Sequence, residues 1–291
     1  MDVRQLEYFL AVVDNGGFNR AAKALYLAQP SLSQAIRTLE RDLGSLLFHR
    51  IGRGVVLTEA GRALVEPARQ AVRSLELARD SIGSVAGLRT GRVDIAAMPS
   101  QAVEPLSGMV ERFTHLHPGM SVSIKAAPWP RVVTEMVHTG ITELGILAAP
   151  EPLVDADLRV HDLGRHRFVL VTAPDGPFEP GTVVSAEKLS GQQMIAGQPG
   201  TGMRRYVDDL KAAGLDVTIA VETEHREAIL PLVLRGVGSA ILTEAWTRLA
   251  EKSGALVLEL EPAAYLHVAL VSRADRLTPA AAAFLAVAVG E

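Results

Sequence analysis

The chain has 291 residues, of which 48% are hydrophobic and 21% are charged, a composition that is typical of a globular protein and long enough for two domains. Because it contains no cysteine, disulfides, thiolate chemistry and cysteine-ligated zinc are excluded. No apolar run approaches the roughly 18 residues of a membrane helix, and the N-terminus shows no signal peptide, so we expect a cytoplasmic protein without a membrane partner.

The net charge of −4 conceals a difference between two parts of the chain. Residues 1–91 carry 12 Lys and Arg against 9 Asp and Glu, a net charge of +3, whereas residues 92–291 carry 17 against 24, a net charge of −7. The basic excess is concentrated in 20–73, with 9 basic and 4 acidic residues. A compact basic segment on an acidic body indicates a local surface that binds anions.

Two short helices are predicted near the N-terminus. Apolar residues recur at helical spacing from Leu6 to Val13, and the turn sequence "DNGG" follows at 14–17. A second helix is expected over 20–25, with Asn19 as its N-cap and with alanines small enough for another helix to cross closely. A turn of about three residues leads to a third helix, so the arrangement predicts a helix-turn-helix.

The third helix is predicted to begin near Gln29, with Pro30 in the first turn, where N–H groups lack intrahelical partners. Its apolar stripe is opposed by a face of hydroxyl, amide and guanidinium groups with few carboxylates. A helix that enters the DNA major groove needs such a face, because it must hydrogen-bond to base edges and must not repel phosphates. An ordinary solvated helix face is the alternative interpretation.

The residue types on this face suggest separate roles. Ser33, Gln34 and Arg37 are expected to bond to base edges, since glutamine pairs with adenine and arginine with guanine, each contributing about 1–3 kcal/mol of discrimination. The other polar residues are expected to bind phosphates and to fix the position of the helix on double-stranded DNA. The predicted DNA contacts, including two from the following segment, are Gln29, Pro30, Ser31, Ser33, Gln34, Arg37, Arg41, Arg50 and Arg53.

Two short strands are predicted after this helix. The stretch "LLFHRIGRGVVLT" at 46–58 has β-prone runs on either side of a glycine-containing connection. Glycines at such a tight connection are typical of a hairpin. We therefore expect a wing with Arg50 and Arg53 near its tip.

One long helix is predicted from Thr58, its candidate N-cap, to about Gly87, with a local bend at Pro67. Its apolar positions alternate spacings of four and three, which is typical of a helix that pairs with another helix. Packing on its own domain is the alternative. The predicted dimerisation positions are Leu64, Ala68, Ala71, Leu75, Ala78 and Ile82.

After a glycine-containing hinge at 87–92, strand-like and helix-like segments alternate to the end of the chain. The first strand is expected over 92–98, the first helix over 102–116 and a closing helix over 278–289. Alternation of this kind predicts an α/β fold with a parallel sheet covered by helices.

The N-terminal segment closely resembles the LysR-type transcriptional regulators. The matching residues are "QLEYFLAVVDNGGFNRAAKALYLAQPSLSQAIRTLERDLGSLLFHRIGRGVVLTEAGR", at 5–62. The resemblance extends to the remainder through "GQPGTGMRR" at 197–205 and "LRGVGSAIL" at 234–242. Many relatives have Ser or Thr where this chain has Ala28, so we expect the third helix to lack a side-chain cap that is typically worth about 1 kcal/mol.

The resemblance implies a sequence-specific transcriptional regulator that a small-molecule effector modulates. It implies a homodimer or a homotetramer built as a dimer of dimers, and RNA polymerase is a further candidate partner. The effector would bind between two lobes similar to those of periplasmic binding proteins. The implied parts are a winged helix-turn-helix DNA-binding domain at 1–58, a linker and dimerisation helix at 59–87 and an effector-binding domain at 92–291, with lobe I at about 92–162 and 267–291 and lobe II at about 163–266.

The expected effector contacts follow from the predicted α/β fold. In open α/β domains, ligands bind beyond the carboxyl ends of strands, where helix N-termini favour anions. A carboxylate-bearing metabolite would suit Ser100, Thr201 and Arg204. The open alternatives are a helix cap for Ser100, lobe packing for Trp129, a surface cation for Arg204 and a structural role for His225. The predicted contacts are Ser100, Gln101, Trp129, Gln198, Thr201, Arg204 and His225.

Two other functions compete with this interpretation. An enzyme on a periplasmic-binding-like fold lacks support, since no dinucleotide fingerprint, P-loop or nucleophile elbow is present. His115 and His117 diverge on a helix, so they do not form a metal pair. We therefore expect no catalytic residue, metal or cofactor. An architectural DNA binder without an effector would not need the α/β sequence of 92–291.

Overall fold

Three helices and a hairpin are followed by one long helix and then by a mixed α/β region. The computed structural model describes residues 1–51, 54–84, 91–274 and 277–290. The N-terminal elements are α1 (Val3–Asp14), α2 (Phe18–Ala24), α3 (Gln29–Leu43), β1 (Phe48–Ile51), β2 (Gly54–Leu57) and α4 (Glu59–Ser84). Most of the hinge predicted at 87–92 lies outside the described residues.

Local sequence signals explain where the N-terminal helices begin and end. Asp2 caps α1 by accepting a hydrogen bond from the N–H of Gln5 at 2.8 Å. The prediction that Asn19 caps α2 is wrong, because α2 begins earlier, at Phe18, after a glycine N-cap. The prediction for α3 is confirmed, since it begins at Gln29 after Ala28 without a side-chain cap. It ends at Leu43 and is capped by Gly44, whose φ of 69° favours glycine.

The N-terminal core is built around two aromatic contacts. The ring of Phe48, in β1, lies 5.5 Å from the ring of Phe9 in α1 and 5.5 Å from that of Phe18 in α2. Ala21 and Ala22 are buried in α2, as expected for closely crossing helices. The core therefore joins the helices to the hairpin.

The long helix α4 packs on this same core with its first half. Thr58 Oγ1 accepts a hydrogen bond from the N–H of Gly61 at 2.9 Å, which confirms the predicted N-cap. Ala68 is only 1% exposed, and Leu64 and Ala71 are partly buried against the same cluster. Ala68 therefore packs within its own domain, as the alternative interpretation has it, and a dimer contact by the partly exposed Leu64 and Ala71 stays a prediction. An ion pair from Arg69 to Asp14 also connects α4 to α1.

The α/β region supplies the remaining strands, β3 to β12, and seven further α-helices in the described part of the chain. Its strands are β3 (Gly91–Ala97), β4 (Met120–Ala126), β5 (Leu144–Ala149), β6 (Leu158–Thr172), β7 (Val184–Ser185), β8 (Gln193–Ala196), β9 (Thr218–Glu222), β10 (Ala240–Thr243), β11 (Leu256–Glu261) and β12 (Tyr265–Arg273). Its α-helices are α5 (Pro99–Val103), α6 (Leu106–Leu116), α7 (Pro130–His138), α8 (Gly202–Ala212), α9 (Ile229–Leu234), α10 (Thr247–Lys252) and α11 (Pro279–Val289).

The main sheet is mixed rather than parallel. Its strand order is β4-β3-β5-β12-β6-β11-β7, with β10 paired to β6 outside this path. Strand β3 is parallel to β4 and β5, but β12 is antiparallel to both β5 and β6. The prediction of a parallel sheet is right for the first strands and for the separate pair β8 and β9, and it is wrong at the centre.

The long strand β6 connects the two lobes of this region. The first ten of its 15 residues pair with β12, and its last five pair with β10 and β11. We call the part with β3–β5, α5–α7 and α11 lobe I, and the part with β8–β10 and α8–α10 lobe II.

The helix predicted over 102–116 is two helices, α5 and α6. Glu104 has an extended backbone, with φ −148° and ψ 139°, and precedes Pro105. A proline disfavours the helical conformation of the residue before it and supplies no N–H, so the helix cannot continue. None of the helices in the described part of the chain is both long and apolar enough to cross a bilayer.

Candidate functional site

The exposed face of α3 presents polar groups that its apolar face holds in place. Leu32, Ile36 and Leu39 are at most 1% exposed and anchor the helix in the N-terminal core. Gln34 and Arg37 are exposed, and their side chains have no hydrogen-bond partner within the described ranges. They are therefore free to bond to another molecule. Exposed as well are Pro30, Ser31 and Arg41.

One predicted base-reading residue is not on this face. Ser33 is only 5% exposed, and its hydroxyl accepts a hydrogen bond of 2.8 Å from the side-chain amide of Gln29. The prediction that Ser33 reads a base is therefore wrong for this conformation, because the hydroxyl is buried and bonded within the helix. Gln29 is itself half-buried, and its amide is used in the same bond.

The hairpin predicted as a wing is formed by β1 and β2. They pair antiparallel from Phe48 opposite Leu57 to Ile51 opposite Gly54. Glu40 of α3 accepts a hydrogen bond of 2.8 Å from the N–H of Leu47, which connects the helix to the hairpin. Two DNA contacts were predicted in this hairpin. Arg53 lies outside the described residues, and so does the side chain of Arg50.

A further exposed residue lies between α2 and α3. Tyr26 is 97% exposed, and its φ of 55° is uncommon for a residue other than glycine. A phenol hydroxyl can donate a hydrogen bond to a phosphate. Sequence reasoning treated this residue only as part of the turn. The sequence feature that could have indicated its exposure is an aromatic residue in a turn, outside the apolar periodicity of α2 and α3.

Several of the predicted effector contacts come soon after strands of the two lobes, Ser100 and Gln101 within α5 and the others in loops. Ser100 and Gln101 follow β3, Trp129 follows β4, and 198–201 follows β8. A Cβ placed on Gly200 would lie 3.5 Å from the Trp129 ring, so the lobes approach each other at this point. The structure therefore brings Trp129 of lobe I next to Gly200 of lobe II.

Ser100 and Gln101 are buried where the lobes meet. Ser100 Oγ accepts a hydrogen bond of 3.1 Å from Trp246 Nε1 of lobe II. Gln101 is 1% exposed, and its amide nitrogen has no hydrogen-bond partner in the described part of the structure. A buried donor without a partner is costly and suits a ligand that supplies an acceptor.

Thr201 acts as the N-cap of α8. Its hydroxyl accepts a hydrogen bond of 3.2 Å from the N–H of Arg204 and donates one of 2.9 Å to the carbonyl oxygen of Gln198. The structure thus gives Thr201 a capping role that the sequence analysis did not name, and effector contact by Thr201 stays a prediction.

The two basic residues predicted to contact the effector, Arg204 and His225, form hydrogen bonds with carboxylates of the protein. Arg204 Nε donates to Asp208 at 2.8 Å, and its Nη1 bonds to Glu222. The bonds to Asp208 and then to Glu222 raise the pKa of Arg204. His225 is exposed, with its Nδ1 3.0 Å from Glu227. In this conformation carboxylates bond to both side chains, and effector contact by Arg204 and His225 stays a prediction.

Arg226 is the basic residue at this edge that sequence reasoning missed. Its guanidinium contacts the sulfur of Met203, and a Cβ placed on Gly197 would lie 3.6 Å from the guanidinium carbon. Burial lowers the pKa of Arg226. Its only sequence signal was its position, a few residues after β9.

One group of side chains has donor atoms suited to a metal ion. The ligand atoms of His138, Asp155 and Asp157 lie within 4.8 Å of one another. His138 Nε2 is 3.1 Å from Asp155, which also accepts N–H hydrogen bonds from Asp157 and Leu158. These bonds explain the group as a connection between α7 and the loop before β6.

Comparisons with known proteins agree with this architecture. A family model described as "Bacterial regulatory helix-turn-helix protein, lysR family" matches residues 3–62, and one described as "LysR substrate binding domain" matches residues 86–291. The transcriptional regulator TfdS of Cupriavidus pinatubonensis is 28% identical over 297 residues, covering 99% of this chain and 98% of TfdS. The transcriptional activator CmpR of Synechocystis is 27% identical over 242 residues, covering 83% of this chain and 78% of CmpR.

Solved structures share the fold. The LysR family regulator CbnR superposes with a TM-score of 0.69 at 21% identity, covering 99% of this chain and 98% of CbnR. A full-length OxyR variant of Pseudomonas aeruginosa gives a TM-score of 0.70 at 22% identity, covering 99% and 93%. With both family models matched in succession along its length, the chain belongs to the LysR-type transcriptional regulators and is a DNA-binding regulator with an effector-binding domain.

Proposed function

We propose that Gln34 and Arg37 read base edges in the major groove while Ser31, Arg41 and Tyr26 bind phosphates. The observation that carries this proposal is the exposed, unpartnered pair Gln34 and Arg37, among the described side chains, on a helix whose opposite face is buried. Both side chains can bond bidentately to a base. The similar protein CbnR, 24% identical with a TM-score of 0.57, has been solved in complex with its target DNA.

The second part of the proposal concerns the effector. We propose that it binds between the lobes, against the loops that carry Trp129 and 198–201. Binding there would change how closely the lobes approach, because Trp129 of lobe I lies against Gly200 of lobe II. Membership of a family of regulators supports a role without catalysis, and a DNA partner supports a cytoplasmic location.

The third part concerns assembly. Leu64, Ala68 and Ala71 pack within the chain, whereas Leu75 is half-buried and Ala78 is exposed. The side chain of Ile82 lies outside the described residues. We propose that the later part of α4, from Leu75 onward, pairs with a second copy to form a dimer, and that two dimers form the tetramer.

Selection of bound sequences from random duplex DNA tests the proposed function. The full-length protein should enrich one interrupted dyad, because a symmetric dimer presents two α3 helices. The logarithm of its affinity for that dyad should fall linearly with the logarithm of salt concentration, since phosphate contacts release counterions. Recovery of unenriched sequences would contradict sequence-specific recognition.

A further inference from the structure

We infer that the effector carries an anionic oxygen group, a carboxylate, phosphate or sulfate, that pairs with Arg226 in the interlobe cleft. This inference rests on the proposed effector site. It replaces Arg204 with Arg226 as the residue that recognises the charge of the ligand.

The position of Arg226 places its guanidinium at the ligand-facing edge of lobe II. Strands β8 and β9 are parallel, with Ala196 opposite Glu222 at their carboxyl ends. Gly197 follows the first strand and Arg226 comes shortly after the second. A Cβ placed on Gly197 would lie 3.6 Å from the Arg226 guanidinium and 2.9 Å from Thr201 Oγ1. The guanidinium therefore lies beside the loop that leads into α8 and that Trp129 approaches from lobe I.

Arg226 differs from the other arginines that are withdrawn from solvent. Among the described side chains, the arginines that are not exposed form an ion pair with a carboxylate, except Arg226. The paired arginines are Arg69, Arg167, Arg204 and Arg273.

The partner that Arg226 does have is a weak one. Its Nη1 donates to the thioether sulfur of Met203, and a thioether accepts hydrogen bonds poorly. Removing a guanidinium from water without a carboxylate is unfavourable, which is why burial lowers the pKa of this residue. An anion at this position would supply the missing charge.

The first turn of α8 also favours an anion beside Arg226. Met203 is in that turn, so its contact with Arg226 places the guanidinium next to the N-terminus of an 11-residue helix. Thr201 caps the N–H of Arg204, while the N–H groups of Gly202 and Met203 precede any intrahelical acceptor. A cation beside the positive end of a helix is repelled by it, and a bound anion would be attracted by both.

Binding of simple anions to the full-length protein tests this inference. Sodium sulfate, sodium phosphate and sodium oxalate are titrated by calorimetry at an ionic strength held constant with sodium chloride. We expect saturable binding of at least one of them. Oxalate binding alone would assign the ligand to carboxylates, and phosphate or sulfate binding would assign it to tetrahedral oxyanions. No saturable binding of any of the three would overturn the inference.

Substitutions identify the residue responsible. Arg226→Gln should weaken the binding at least about tenfold, because a charge-assisted hydrogen bond is lost. Arg226→Lys should weaken it less, since the charge remains but the bidentate geometry does not. Arg205→Gln, on the exposed surface of α8, is the matched control and should bind as the wild type does. Unchanged binding by Arg226→Gln, or by Arg226→Lys if Arg226→Gln does not fold, would exclude Arg226 as the anion partner.

Two further measurements distinguish anion recognition by Arg226 from a structural role and from DNA binding. If Arg226 were purely structural, Arg226→Gln would lower the melting temperature measured without anion. Because Arg226 lacks a carboxylate partner, we instead expect Arg226→Gln to leave that melting temperature unchanged or to raise it. Wild type and Arg226→Gln should bind the selected DNA dyad equally in the absence of anion. Failure of the wild type to recognise DNA would contradict the proposed function, and absence of anion binding with intact DNA recognition would contradict only this inference.

Discussion

Trp246 donates a hydrogen bond of 3.1 Å to the hydroxyl of Ser100, and this buried bond connects lobe II to lobe I. Both residues are at most 9% exposed. Because β6 also runs between the lobes, the bond adds a side-chain contact to a connection made through the backbone. It lies next to Gln101, whose buried amide nitrogen has no partner among the described residues.

The Trp246–Ser100 bond should contribute to stability in a measurable way. Trp246→Phe and Ser100→Ala should each lower the free energy of unfolding, and the double variant should show a coupling of about 1 kcal/mol, the usual net contribution of such a bond. Urea denaturation of the four proteins measures it. Strict additivity of the two substitutions would show that the bond contributes no net stability.

The half-buried His166, in β6, should make stability depend on pH. Burial lowers its pKa below the usual 6.5, and nearby Glu244 and Glu104 oppose this shift only in part. The unfolded chain therefore binds a proton at a higher pH than the folded chain, so the free energy of unfolding should fall as the pH decreases from about 6.5 towards the lowered pKa.

Denaturation at several pH values on both sides of the usual histidine pKa of about 6.5 would measure this fall. His166→Gln should reduce it. Carboxylates with lowered pKa values, such as Asp155, change the free energy of unfolding only at lower pH, below their usual pKa of 3.8. An identical pH dependence for wild type and His166→Gln would contradict the assignment.

The two halves of α4 should respond differently to a charge. Ala68→Glu places a carboxylate in the N-terminal core and should lower domain stability by several kcal/mol, on the order of 3. Ala78→Glu, at an exposed position, should leave folding intact and weaken dimerisation. Thermal unfolding and sedimentation velocity separate these effects, and an unaffected dimer in Ala78→Glu would remove this part of α4 from the proposed interface.

Much of the fold could be predicted from local patterns. Apolar periodicity predicted α3, Pro30 predicted its start, and glycines predicted the turn of the hairpin, because these features depend on residues close in sequence. The mixed sheet could not be predicted, since the antiparallel placement of β12 between β5 and β6 depends on pairings between distant segments. Apolar spacing alone could not decide between a dimer contact and domain packing for Ala68, because its burial in the N-terminal core depends on distant residues.

The side chains of the two sites also differ in how well the sequence predicts their positions. The exposed positions of Gln34 and Arg37 follow from helical spacing relative to Leu32 and Leu39. The burial of Ser33 does not, because a hydroxyl at the edge of the apolar stripe can point either way. Arg204 and Arg226 look alike along the chain, and only the placement of Asp208 and Glu222 in space decides which one is paired.

Base preference is the sharpest test of DNA recognition by α3. Arg37→Ala and the control Arg248→Ala, an exposed arginine of α10, are compared with the wild type on the selected dyad and on dyads with each single base pair changed. We predict that Arg37→Ala weakens binding by about 1–3 kcal/mol and loses discrimination at one base pair per half-site, while Arg248→Ala retains both affinity and discrimination. An Arg37→Ala protein that discriminates among the dyads as the wild type does would contradict recognition through this face.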